Sequence, residues 1–139
     1  MNISSDLIRA YKNTEYVVFA DPQFIILVDK YSHDLQALMY QYECKQAAFI
    51  TAYNPHSQLV ADSQNLKAQT QLINELHNLG YKVLSGQGRD PQGLWPAEDS
   101  VLVFNIDKSR AIKFAKKYAQ NAIIWIQNDG IPQLLLLNN

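Results

Sequence analysis

The sequence predicts an α+β fold. A helix–hairpin–helix over 1–44 precedes a ferredoxin-like βαββαβ core over 45–139 that carries an extra C-terminal strand. Two observations point there. From Gln46 to Gln127, strand-like runs and amphipathic helical patterns alternate in the order βαββαβ, the split-βαβ arrangement. At 139 residues the chain is expected to be a single domain, 1–139, large enough to bury roughly two-thirds of its unfolded surface. A third observation sets up an alternative. Several strands are continuously apolar, which asks for cover on both sheet faces and suggests a three-layer mixed α/β sheet.

Each element has its own signal. Ser4 or Ser5 can cap a short helix ending near Asn13. Tyr16–Ala20 and Phe24–Val28 are β-rich runs around Asp21-Pro22-Gln23, a hairpin pattern. Ser32 then caps a helix with Leu35, Leu38, Met39 and Tyr42 at helical spacing. Ala47–Tyr53 reads as a strand, stopped by Asn54-Pro55. Asp62 or Ser63 opens a long helix with Leu66, Ile73, Leu76 and Leu79 on one face, closed by Gly80. Tyr81–Leu84 and Val101–Ile106 are strands. Asp107 caps a helix that turns Ala111, Phe114, Ala115 and Tyr118 inward. Ala122–Ile126 and Gln133–Leu137 form a strand pair around Asn128-Asp129-Gly130. The expected core includes Phe49, Ile50, Leu76, Val103, Phe114, Ile124 and Trp125.

The bulk composition excludes several classes. A net charge of −1 supplies no global field for nucleic acid or anionic membranes. Lys108, Arg110, Lys113, Lys116 and Lys117 form one basic helical segment, best read as a solvated face. The strand before it lacks the aromatic-and-glycine signature of an RNA-binding sheet, so no nucleic-acid partner is expected. Apolar runs are too short for a bilayer span of about 20 residues, and no membrane partner is expected. Cys44 is the only cysteine, so neither an internal disulfide nor a thiolate cage can form. His33, His56 and His77 lack metal-ligand spacing, so no metal and no cofactor are expected. A polar N-terminus without a signal peptide predicts a cytoplasmic protein. The oligomeric state is left open.

The long connection Gly86–Glu98 stands out, since hairpin loops usually need about 2–5 residues. Element order places it. If the first core strand runs up, the loop 54–61, the loop 86–98 and the pair Gln120-Asn121 all fall at the same end. The N-terminus of the Asp62 helix joins them and favours an anion there. The candidate site residues gathered on this rim are Asn54, His56, Ser57, Arg89, Asp90, Trp95, Glu98 and Gln120.

Three stretches carry a resemblance: Tyr53-Asn54-Pro55-His56-Ser57, Gly86 to Ser100, and Tyr118-Ala119-Gln120-Asn121-Ala122-Ile123. Together they resemble the bacterial domain-of-unknown-function family numbered 3293. Ala119 stands where that pattern has Gly. The resemblance implies a bacterial cytoplasmic domain and no particular activity.

The rim residues suggest chemistry with competing structural roles. Arg89 can clasp a carboxylate or phosphate bidentately, or pin the loop through Asp99 or Glu98. Asp90-Pro91-Gln92-Gly93 fits a type I turn in which Asp90 bonds backbone. Gly86-Gln87-Gly88 lacks the third glycine of a dinucleotide fingerprint, so its glycines are expected to serve a sharp turn. Trp95 either plugs the core or stacks on a ligand. Glu98, if desolvated, suits a general base. No nucleophile elbow surrounds Ser57, and Asn54 and Ser57 fit turn-organising roles. Three functions follow. The first is a domain binding a small anionic molecule through Arg89 and helix N–H groups. The second is an enzyme with Glu98 or His56 as acid/base. The third is a protein-interaction module with a structural loop.

Overall fold

The computed structural model describes residues 3–137; Met1, Asn2, Asn138 and Asn139 of the expected domain span lie outside the described residues. The elements run α1 (Ser5–Asn13), β1 (Glu15–Val18), β2 (Phe24–Ile26), α2 (His33–Gln41), β3 (Gln46–Ile50), a 3₁₀ turn (Pro55–Ser57), α3 (Asp62–Asn78), β4 (Val83–Arg89), β5 (Glu98–Phe104), α4 (Lys108–Lys117), β6 (Ala122–Gln127) and β7 (Pro132–Leu136). Among the described residues this is a mixed α+β architecture of four helices and one seven-stranded sheet, ordered β2-β1-β4-β5-β3-β6-β7. Every neighbouring pair of strands is antiparallel, unlike the mixed sheet of the alternative reading. The N-terminal hairpin is part of this sheet, because β1 pairs with β4 from Glu15–Arg89 to Val18–Gly86.

Side chains alternate across a strand, and here both faces are apolar. Along β3, Ala47 and Phe49 enter one core while Ala48 and Ile50 enter the other. Leu102 and Phe104 of β5 accompany the first pair; Val101 and Val103 accompany the second. α2 covers the first face with Leu35, Leu38 and Met39. α3 and α4 cover the second with Leu72, Leu76, Ala111 and Ala115. The continuous apolar runs are therefore explained by helices on both sides of the sheet.

Ser4, Ser32 and Asp107 cap α1, α2 and α4 through side-chain acceptors, as their sequence context predicts. α3 differs. Its N-cap is Ala61, with no side-chain cap, and Asp62 sits in the first turn. Its inward face is also rotated from the expected one: Leu66 and Leu79 are 59% and 53% exposed, whereas Asn65, Gln69, Leu72 and Leu76 are buried. Two polar residues can point inward because the chain after β3 leaves backbone N–H groups without a strand partner. Gln69 Oε1 accepts from Ala52 N at 2.9 Å, and Asn65 Oδ1 from Asn54 N at 2.8 Å. Of the expected core, Phe49, Ile50, Leu76, Val103, Ile124 and Trp125 are buried. Phe114 is only half-buried, because the small Ala111 and Ala115 form the innermost line of α4.

The long connection is shorter than expected. β4 runs on through Gly86 and Gly88 to Arg89, and β5 begins at Glu98, leaving residues 90–97 as the loop. These glycines are strand residues and make no turn. A Cβ on Gly86 would lie 2.5 Å from the Val17 carbonyl oxygen and 2.6 Å from the Phe49 ring. The bare backbone lets Phe49 lie across β4 and meet Tyr16 edge-on, ring centroids 5.5 Å apart.

Candidate functional site

Beneath α1 lies a cavity of about 270 Å³. Its floor is the first sheet face, with Tyr16, Phe49, Ile124 and Leu134. Its roof is Leu7, Ala10, Tyr11 and Thr14, at the helical spacing that forms one side of α1. No residue of α1 is fully buried, so the helix covers the cavity without filling it. One hydrogen bond of 2.8 Å between Tyr11 OH and Ser57 Oγ ties the roof to the loop after β3. Tyr16 OH donates to the Tyr11 carbonyl at 2.8 Å from below.

Space exists here partly because a side chain is missing. Across the sheet, Tyr16, Gly88 and Glu98 are direct neighbours on adjacent strands. A Cβ on Gly88 would meet nothing nearer than Thr14 at 3.6 Å. The gap opens beside Glu98, whose half-buried carboxylate is part of the cavity wall. Burial pushes the Glu98 carboxyl above the usual carboxylate range, and a hydrogen bond from Asn54 partly offsets this. That bond, Asn54 Nδ2 to Glu98 Oε2, is 2.7 Å long. Among the described residues no lysine, arginine or histidine pairs with Glu98, and none lines the cavity.

The rim expected from element order is assembled. His56 N donates to the Ala119 carbonyl at 2.7 Å, and Gln120 Nε2 to the Tyr53 carbonyl at 2.9 Å. Asn121 Nδ2 reaches Ser57 Oγ at 3.2 Å. Asn54, His56, Ser57 and Ala119 all have φ between 48° and 59°, the left-handed region that costs a non-glycine residue roughly 1–2 kcal/mol. Asn54 relieves that strain through its side chain: its Oδ1 accepts from Asn65 Nδ2 at 2.8 Å and Val60 N at 3.2 Å. Strained non-glycine backbone held by surrounding bonds is a common mark of functional loops.

The candidate residues separate into two groups. Asn54, Ser57, Trp95, Glu98 and Gln120 line the cavity. His56 is exposed and outside the lining. Asp90 holds its own turn: Oδ1 accepts from Gln92 N and Oδ2 from Leu94 N, with Gly93 N bonded to the Asp90 carbonyl. Arg89 belongs to β4, not to the loop, and is one residue past Gly88, so the pleat turns it to the face opposite the cavity. There its Nε donates to Gln87 Oε1 at 2.9 Å and its guanidinium lies 5.8 Å from the Phe19 ring centre. Gln87 in turn donates to Asp99 Oδ1 at 3.0 Å, and Asp99 Oδ2 accepts from Tyr53 OH at 3.0 Å. Burial and this Asp99 contact push Tyr53 up to about 12.

Tyr11, Tyr16 and Gly88 belong to the site and were not among the sequence candidates. Leu7 and Tyr11 of α1 and its C-cap Thr14 recur at i, i+4 and i+7, the spacing of one helical face. Among the described residues no group of three or more His, Cys, Asp or Glu side chains converges as metal ligands, and no helix is long and apolar enough to cross a membrane.

A family model described as "Protein of unknown function (DUF3293)" matches residues 50–123, more than half of the chain. No curated protein and no solved structure matches. The matched segment holds the polar end of the cavity, including Asn54, Ser57, Trp95, Glu98 and Gln120; the α1 roof, Tyr16 and Leu134 lie outside it.

Proposed function

The chain belongs to the DUF3293 family, and we propose that it binds a small organic molecule in the cavity beneath α1. The observation that carries this reading is the cavity itself. An apolar floor closes against a short set of polar groups, Glu98, Asn54, Ser57 and Tyr11, the usual composition of a ligand pocket. Its volume is at the small end for such pockets, so the ligand is of fragment size. Asn54, Ser57, Trp95, Glu98 and Gln120 are its proposed contacts from the original candidates. An anion held by Arg89 has little support, because Arg89 is on the opposite sheet face and no lysine, arginine or histidine lines the cavity among the described residues. The unfilled cavity likewise favours a ligand over a purely structural loop.

The strand order β4-β5-β3-β6 supports a ferredoxin-like reading of the βαββαβ segment. Pairing of β1 with β4 supports one domain over the whole chain. A bacterial cytoplasmic setting completes the proposal, supported by the motif resemblance and the lone Cys44.

The test is a ligand-observed NMR screen of neutral, cationic and anionic fragments against the full chain, repeated with Gly88→Val. Fragments that bind the native chain should lose binding to Gly88→Val, whose added side chain enters the cavity. A circular dichroism melt establishes that the variant is folded. Absence of binding, or binding unchanged by a folded Gly88→Val, overturns the proposal.

A further inference from the structure

We propose that the occupant of this cavity is an organic monocation, an amine on an aromatic or aliphatic body, with Glu98 as its counter-ion. This rests on the binding reading above and narrows it to a charge class. Among the described residues Glu98 is the only acidic side chain in the lining, which offers no lysine, arginine or histidine. One oxygen, Oε2, accepts from Asn54; Oε1 has no protein hydrogen-bond partner among the described residues. A half-buried carboxylate without a cation is costly unless something neutralises it. An ammonium group entering from the cavity would do so through a charge-assisted hydrogen bond. The surrounding walls suit the same charge. Tyr11, Tyr16, Tyr53 and Trp95 are among the lining residues, an aromatic content that suits a cation, and Phe49, Ile124 and Leu134 supply apolar wall.

The titratable groups nearest Glu98 are phenols: Tyr11 on α1 and Tyr16 on β1, with Tyr53 after β3 turning its hydroxyl to Asp99. All three are pushed above the ordinary tyrosine value, chiefly by burial, and stay neutral through the acid and neutral range. Asp99, next on β5, faces the other side of the sheet. Glu98 is thus the group whose ionisation sets the charge of the cavity.

The experiment uses three matched probes, 2-phenylethylamine, 2-phenylethanol and phenylacetate. Binding is read from Trp95 emission in a Trp125→Phe background and checked by ligand-observed NMR. Near neutral pH the amine should bind at least about tenfold more tightly than the alcohol, and phenylacetate should not bind. Glu98→Gln should erase the amine's advantage over the alcohol, bringing the ratio of their affinities to about one. If that variant does not fold, the native chain still answers: amine affinity should fall on acidification through the Glu98 pKa, with alcohol affinity flat. If the alcohol or phenylacetate matches the amine and Gly88→Val abolishes them all, the charge assignment is wrong and the binding reading stands. If none of the three binds, both fail.

Discussion

Asn54 Nδ2 donates to Glu98 Oε2 at 2.7 Å, joining a left-handed loop residue after β3 to the first residue of β5, 44 positions later in the chain. The same side chain also accepts from Asn65 Nδ2 and Val60 N. One buried amide therefore holds together β5, α3 and the loop that forms the cavity's polar end. Asn54→Ala removes three bonds and leaves Asn65 and Glu98 short of partners. Each such loss costs about 1–3 kcal/mol when buried, so the variant should be at least ~2 kcal/mol less stable in urea melts. A change below ~0.5 kcal/mol would mean that water replaces this network at no cost.

The two strand glycines should respond differently to the same added methyl. Gly86→Ala drives a Cβ into the Val17 carbonyl and the Phe49 ring, and should cost about 1–3 kcal/mol. Gly88→Ala meets only ordinary contacts, so its stability should stay within ~1 kcal/mol of the native chain. Denaturant titration of the two variants side by side checks the contrast.

Ala119 stands at the left-handed position of the turn that ends α4, with φ 55°. Its N–H bonds to the Lys116 carbonyl and the next N–H, from Gln120, to the Ala115 carbonyl, a Schellman pattern that favours glycine. α3 ends in the same pattern, with Gly80 in that place at φ 86°. Ala119→Gly should relieve about 1–2 kcal/mol of strain against an entropic cost of about 0.5–1 kcal/mol. A net stabilisation of up to ~1 kcal/mol is expected by thermal or urea unfolding; destabilisation would contradict it.

Glu98 should also shape the pH dependence of stability. Its folded pKa lies above the ordinary carboxylate value, so the native state holds its proton more tightly than the unfolded chain. Stability from this group therefore falls as pH rises from the ordinary value through the raised one. Glu98→Gln keeps an acceptor for Asn54 and removes this slope. The variant should gain stability relative to the native chain at neutral pH and lose that gain in acid. Glu75 and Asp107, both shifted down, give the opposite trend and are common to both proteins. Urea melts at acid and neutral pH separate the two.

Much of the architecture was legible from local pattern. Element order and the parity of βαββαβ bring the loop after β3, the 90–97 loop and Gln120 to one end; the hydrogen bonds from His56 and Gln120 join the first to the last, and Trp95 lines the same cavity as Asn54 and Gln120. The errors have physical causes. Gly86 and Gly88 signal a turn in isolation; the packing of Phe49 over β4 shows why the strand needs Gly86, while Gly88 borders open space. Extending β4 by those residues turned Arg89 away from the cavity, since a strand reverses its side chains at every step. Burial of Asn65 and Gln69 answers unpaired backbone groups 11 and 17 residues away, which no helical periodicity encodes. Tyr11 escaped notice because its partner, Ser57, is 46 residues distant.

The sheet's two apolar faces are unequal in what they leave over. Leu72, Leu76, Val101, Val103 and Ala111 are all fully enclosed between the sheet and α3 and α4, while the cavity opens on the face beneath α1. The face beneath α1 is packed only where α2 covers it, around Val18, Leu35, Leu102 and Ile126. A substitution in the cavity wall therefore changes the shape of open space, whereas the same substitution under α3 and α4 changes the packing of a closed layer. On the ligand reading proposed above, the cavity wall is where the chain has room to vary at least cost to its fold.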